Sequence, residues 1–475
     1  MLRTIFQHEW RCLVADRSLA AIAGLFVILA AYGVFGGVSW QRERAEAVRR
    51  AMTEADSKLA EQKNELIANT ATGKTVVPWR DPANPFVVSQ AVTSPPGPMA
   101  GLAVGQSELY PYNANPSIFA IRHTLFTNYD LDNPMVLSAG RFDLGFVIVF
   151  LYPLLILAIS YNMLSSERER GTLAMTLSQP VPLRTLLLGK VGLRAMVVVG
   201  MAAVLSVAGA LAARVPLEVP GVPARVLLWT LLVVAYGLFW FAVALAVNAI
   251  GKSSGANAMI LASIWIALVL VVPSLLNVAV SRIYPPPSRY AFLERVRGAE
   301  NETQKIGQEL LKKYYFDHPE LGPKGDPAAA DDFMARFCAV REELARRVDP
   351  EIRRFEEQLA NQQRLVSRAR FLSPAIAMQE AVSDVSGTGL VRQKKYEEQA
   401  VAFVQKWKAL YVPKVFQSVK LTPADYDAVP RFRFEEEPLA AIVPRVSSAL
   451  LGLLLPALGI AALGLAVLSR YRIAG

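Results

Sequence analysis

The residues best suited to specific chemistry stand together between positions 167 and 190. Four side chains alternate in sign, Glu167, Arg168, Glu169 and Arg170, and a Gly171-Thr172 pair follows. Then come Leu173, Met175 and Leu177, a break at Ser178, Gln179, Pro180 and Pro182, the run Leu186-Leu187-Leu188, and Gly189-Lys190. Alternating charges offer charge-assisted hydrogen bonds in both directions, and the leucines and methionine beside them offer apolar anchors. This is chemistry for gripping another surface, not for breaking bonds. Gly171 and Thr172 suit a turn or a helix start with Thr172 as its cap. Pro180 suits the end of that element.

Catalytic chemistry finds no footing elsewhere. Gly251-Lys252-Ser253 has the ending of a phosphate-binding loop, but that loop needs a glycine five residues earlier, where Ala246 stands, and a preceding strand. His8, His123 and His318 are scattered without metal-ligand spacing. Cys12 and Cys338 fall on opposite sides of the topology derived below and cannot pair. Gly251-Lys252-Ser253-Ser254-Gly255 has the spacing of a Gly-x-Ser-x-Gly elbow, but it follows an apolar helical window where that elbow needs a strand, and there is no His-Glu-x-x-His pair. The reading is a non-catalytic chain with no cofactor and no metal of its own.

The elements that position the charged segment are apolar. Apolar residues make up 53% of the chain and the mean hydropathy is +0.31. They gather in six windows, near 18–40, 142–163, 192–212, 226–249, 257–280 and 446–468, each long enough to cross a hydrocarbon core of about 30 Å as a helix. The expected fold is an all-α polytopic membrane protein. No small-residue cleavage site follows the first window, so it reads as a retained span.

The net charge of +10 sits largely in the short segments 1–17, 164–191, 250–256 and 469–475, with Arg3, Arg11, Arg17, Arg168, Arg170, Arg184, Lys190, Lys252, Arg470 and Arg472. Basic residues in short loops mark the cytoplasmic side, which places both termini inside. The long segments 41–141 and 281–437 carry balanced charge and lie outside. No basic cluster on one soluble face signals nucleic acid.

The first 17 residues place Leu2, Ile5, Phe6, Trp10 and Leu13 at helical spacing, as an interfacial helix lying on the lipid bilayer would. Beyond the first window a charged, helix-favouring stretch to about residue 69 prolongs that span. A tract rich in Pro, Gly and Asn follows and should be irregular. In the second outside segment, Phe333, Phe337, Val340, Leu344 and Val348 make one apolar stripe, which Ile352, Phe355 and Leu359 continue past Asp349-Pro350. Asp349 is expected to cap a helix restarted at Pro350. A later helix carries Tyr396, Ala400, Phe403, Trp407 and Leu410 and should end before Pro413. Drifting spacing and prolines favour a compact helical domain over a coiled coil.

Polar residues interrupt two windows: Tyr152, Pro153, Ser160, Tyr161 and Asn162 the second, and Pro273, Ser274 and Asn277 the fifth. Such groups satisfy helix packing or line a path. Tyr152, Ser160, Tyr161, Asn162, Ser274 and Asn277 are the path-lining candidates. Arg194 and Arg445, at span ends, are expected to snorkel.

The pattern Glu167-x-Glu169-x-Gly171-Thr172-Leu173, with Ser178-Gln179-Pro180 and Gly189-Lys190, resembles the first inside loop of type-two ABC exporter permeases. Six spans, an interfacial helix and both termini inside are similar too. A subgroup of these permeases has large extracytoplasmic insertions after the first and fifth spans, and segments similar to residues 313–320 (Lys-Tyr-Tyr-Phe-Asp-His-Pro-Glu), Ser373-Pro374 and Gly387-Thr388. The resemblance covers essentially the whole chain. It implies that Glu167, Arg168, Glu169, Gly171, Thr172, Leu173 and Pro180 form a coupling helix docking on a separate cytoplasmic ATPase, present in two copies, which binds ATP and Mg. It further implies a second permease (an identical copy or a sister chain), a bacterial inner membrane, and export of a substrate; peptide, siderophore, lipid and metal-related cargo are all compatible. Two other readings stay open on the sequence. One is a mechanotransmitter moving a periplasmic partner without cargo, and the other a membrane receptor without an ATPase.

Overall fold

The computed structural model describes residues 2–114, 116–126, 141–179, 182–285, 288–321 and 333–469; Pro180, Arg470 and Arg472 lie outside them. Six helices are long and apolar enough to cross a membrane: Arg17–Thr72, Leu144–Glu169, Leu183–Ala212, Val222–Ala249, Ser254–Ile283 and Leu439–Leu468. They are the first to sixth spans below. Most of the remaining described chain is helical as well, and one short antiparallel pair joins Val92–Thr93 to Asn113–Ala114.

The helix Leu2–Ala15, called the interfacial helix after the expectation above, ends at Asp16, whose carboxylate accepts from the Ser18 and Leu19 amides at 3.0 and 3.3 Å and so caps the first span. That span is one 56-residue helix. At 1.5 Å per residue it is about 84 Å long, far more than a bilayer core needs, and its charged second half projects among the insertions. Gly37 lets it approach the chain closely, since a Cβ there would stand 2.2 Å from the Gly101 carbonyl oxygen.

The fourth span is the axis of the membrane core. Trp229, Tyr236 and Trp240 are fully buried in it, and the third and sixth spans pack on it. The fifth span is the opposite case. It leaves Met259, Leu275, Val278 and Ile283 exposed.

The second and fifth spans each contain a wide π turn, Val147–Leu151 and Ile266–Val271, shortly before Pro153 and Pro273. Proline has no N–H to return to the carbonyl one turn back. In each span a carbonyl within the wide turn before the proline is met by a hydroxyl from a neighbouring element. Tyr236 Oη donates to the Val149 carbonyl at 2.9 Å, and Ser373 Oγ to the Leu268 carbonyl at 2.6 Å. A low-dielectric interior requires such replacement partners.

The two insertions, far apart in sequence, share one core. Leu59 and Leu66 of the first span, Val92 and Ile118 of the first insertion, and Cys338, Tyr396 and Trp407 of the second are buried together. The Tyr396 hydroxyl donates to the Val92 carbonyl at 2.8 Å and that of Tyr426 to the Pro82 carbonyl at 2.7 Å.

Three expectations are corrected. The helix Phe333–Ala369 runs unbroken through Pro350, because Leu344, Val348 and Ile352 are buried continuously along it, and Asp349 bonds Arg353 at 2.6 Å instead of capping. Leu390–Phe416 likewise continues through Pro413, held by buried Val412, Val415 and Phe416. Burial on both sides of a proline outweighs the roughly 3 kcal/mol it costs a helix. Arg445 does not snorkel. It pairs with Glu437 at 2.8 Å through two bonds and with Asp384 at 2.9 Å.

Candidate functional site

The charged segment lies at the face that also carries the interfacial helix and the loop between the fourth and fifth spans, called the near face here. What positions it is the capped end of the helix Tyr152–Ser160, the last long helical stretch of the second span. A helix leaves its last carbonyls unpaired, and here three are met by other spans. The Arg194 guanidinium donates to the Ile159 carbonyl, Asn248 Nδ2 to that of Ser160 at 2.8 Å, and Asn257 Nδ2 to that of Tyr161 at 3.2 Å. The third, fourth and fifth spans thus each contribute one donor. A cation at a helix C-terminus also opposes the macrodipole favourably.

After a turn, two short helices follow, Ser165–Glu169 and Thr172–Leu177. They meet at Gly171, whose φ of +74° is natural to glycine alone; it precedes the second helix, and Thr172 is that helix's first residue, not its cap. The Thr172 hydroxyl donates to the Glu167 carbonyl at 3.2 Å.

The alternating charges divide between two directions. Glu167 accepts from Lys190 Nζ at 2.5 Å, and Lys190 also stands 3.6 Å from Glu9 of the interfacial helix. Arg194 closes the cluster on Glu9, with Nε donating at 2.8 Å. Two acids therefore face two bases in a site where Glu9 is 2% and Lys190 4% exposed. Burial alone would raise the Glu9 carboxyl, but the Arg194 and Lys190 charges outweigh it and hold the group below its ordinary range. Toward the fifth span, the Arg168 guanidinium donates to the Gly251 carbonyl at 2.5 Å. Glu169 accepts from the Ser254 amide at 2.7 Å, in the first turn of that span, with its second oxygen 2.9 Å from the Ser254 hydroxyl.

Leu173 is buried, whereas Arg170, Gly171, Thr172, Ala174, Ser178 and Gln179 are exposed and Met175 is 74% exposed. Glu167, Arg168 and Leu173 thus anchor the element from within. Arg170 and Met175 stand on its outer surface.

Residues 115–274 match the family model described as ABC-2 family transporter protein. That match contains the second to fourth spans, the near-face element and most of the fifth span. The match supports an ABC-2 type permease. Residues 289–435 of the permease match a second model, described as Domain of unknown function (DUF3526), which covers most of the second insertion. No curated protein matches the permease at a significant level.

The six polar residues noted in the spans do not come together. Tyr152 and Ser160 are fully buried within the permease, and neither hydroxyl has a partner among the described residues. Tyr161 and Asn162 are half-buried in the near-face turn. Ser274 and Asn277 lie exposed on the fifth span, and Ser274 returns its hydroxyl to the Leu270 carbonyl at 2.7 Å. The residues that sequence reasoning missed are Glu9, Asn248, Asn257 and Ser254. Glu9 had a readable signal, an acid inside an otherwise basic amphipathic segment, and Lys190 and Arg194 stand four apart on one helix face. Nothing local marked the asparagines or Ser254.

Proposed function

We propose that this permease is the membrane subunit of an ATP-driven exporter in a bacterial inner membrane. It works as a pair, with a second copy or a sister permease, on two copies of a cytoplasmic ATPase that binds ATP and Mg. The near face is then cytoplasmic, as its basic loops suggest, and the insertions are periplasmic. One observation carries the reading. The near-face element presents Arg170 and Met175 outward while its other charges are bonded to the third span and to the start of the fifth, and Lys190 of the third span links Glu167 to Glu9 of the interfacial helix. A push on that outer surface reaches two spans and the interfacial helix through hydrogen bonds. Moving a two-state element nearly completely takes about 5.5 kcal/mol of differential interaction, which calls for such rigid attachment. The exposed apolar length of the fifth span supports a second permease packed along it.

The test is co-purification of the permease with the products of neighbouring genes, followed by ATP hydrolysis measurements. Arg170→Glu combined with Met175→Glu should release the ATPase while leaving the permease folded. Glu169→Gln should keep the ATPase bound but lower the response of hydrolysis to the permease. If no ATPase co-purifies, or if it stays bound to the outer-surface variant, the reading fails.

A further inference from the structure

Where the spans meet the insertions, far from the near-face element, lies a cavity of about 480 Å³. It holds none of the six polar span residues discussed above. One wall is apolar and comes from the two wide π turns and their flanks: Phe146, Val149 and Phe150 beside Val269 and Pro273. Single wide turns of this kind recur at functional sites, because they re-aim side chains without ending the helix.

The opposite wall is the helix Pro374–Ser386, which presents Glu380 and Asp384 one turn apart. Arg370 Nη1 donates to Glu380 at 3.2 Å, and Arg445 Nε to Asp384 at 2.9 Å. Arg141 and Asp143 complete the charged lining. Among the lining residues three carboxylates therefore face three guanidiniums, with Glu437 behind Arg445 at 2.8 Å and Glu108 behind Arg141 at 3.5 Å, so the wall offers groups of both signs. Its hydrogen bonding is incomplete. Arg141 Nη1, Arg370 Nε and Glu380 Oε1 are buried with no partner among the described residues. Asp143 differs, since both its oxygens accept backbone amides, of Val104 and Phe146, at 2.7 Å.

From these two walls we infer a binding site for a zwitterionic amphiphile, a lipid-like molecule whose head carries an ammonium group beside an anionic one. A head with both signs pairs with both halves of an ion pair that opens to admit it, and leaves no uncompensated charge buried. Its N–H donors suit Glu380 and its anionic oxygens suit Arg141 and Arg370. The apolar tail lies against Phe146, Phe150, Val269 and Pro273. It leaves along the fifth span, where Leu270 and Val271 are exposed. The volume falls within the usual range for small-molecule sites, about 300–1,000 Å³. This inference is independent of the ATP-driven reading, and its test needs no ATPase.

The experiment is equilibrium binding to the full-length permease in detergent, with native mass spectrometry for stoichiometry. The probe is lysophosphatidylethanolamine. Lysophosphatidylglycerol (anionic, no ammonium), lysophosphatidylcholine (no N–H donors) and free phosphoethanolamine are the comparisons. One saturable site per chain is expected, with each comparison weaker by about tenfold or more, as for a polar group left unpaired. Glu380→Gln should weaken the probe by a similar factor and narrow its advantage over lysophosphatidylcholine. Ile376→Trp and Val366→Trp fill the cavity from two sides, and either should abolish binding at an unchanged unfolding midpoint. Equal binding of lysophosphatidylglycerol overturns the inference. So does full binding by a folded cavity-filled variant, and equal binding of free phosphoethanolamine removes the apolar half of it.

Discussion

Replacing Lys190 by methionine tests whether the near-face cluster holds the interfacial helix to the membrane core. The substitution keeps an unbranched apolar stem and removes one charge. Glu9 then keeps a single cation, Arg194, and Glu167 loses its 2.5 Å partner. Breaking a buried ion pair from one side costs about 3–5 kcal/mol. Glu9 keeps its bond to Arg194, so the lower end, about 3 kcal/mol, is expected. The load falls on the interfacial helix, whose polar tie to the third span runs through Glu9. Its local opening should ease by that amount, which is roughly a 100-fold rise in amide exchange over residues 5–15. Exchange in the fourth span should change little. The double variant Glu9→Gln with Lys190→Met restores charge balance, with Glu167 and Arg194 remaining, and should cost less than the sum of the singles by about 1–3 kcal/mol. Hydrogen exchange read by mass spectrometry on detergent-solubilised protein gives both numbers. Unchanged exchange in the Lys190→Met protein, or strict additivity of the two substitutions, would refute a cooperative cluster.

Tyr236→Phe should destabilise the permease by about 1–3 kcal/mol, because the Val149 carbonyl, in the wide turn before Pro153, loses its donor. Tyr152→Phe, removing a buried hydroxyl with no partner among the described residues, should be neutral or stabilising in the same unfolding assay. Gly37→Ala forces a Cβ into the Gly101 carbonyl and should lower stability by about 1–3 kcal/mol, read as a reduced midpoint of unfolding. Burial pushes the Asp143 carboxyl from 3.8 up to about 6, although the Phe146 and Val104 amides oppose it. Folding therefore takes up a proton between those values, so stability should fall as pH rises through about 4 to 6. The loss is roughly 3 kcal/mol. The difference in unfolding free energy between wild type and Asp143→Asn across that window measures it, and a flat difference would count against the assignment.

The sequence by itself determined the class of this protein. Six apolar windows state a membrane-spanning helical chain because hydrocarbon tolerates little else, and that signal is local to each window. The charged segment at 167–190 also stood out locally, since its residue types and spacing are contiguous. Only the tertiary structure decided which side chains face where. Glu167 meets Lys190, which also stands beside Glu9, Glu169 meets Ser254, and Leu173 turns inward, so the outer surface falls to Arg170 and Met175. Those pairings join residues distant in sequence, and no local pattern encodes them. The prolines make the same point from the other side. Pro350 and Pro413 read as helix ends, yet buried neighbours carry both helices through. Pro153 and Pro273 read as interruptions, yet hydroxyls from other elements bond carbonyls in the wide turns just before them. The local cost of a residue is written in the chain, whereas what offsets it is supplied by whatever the fold brings alongside.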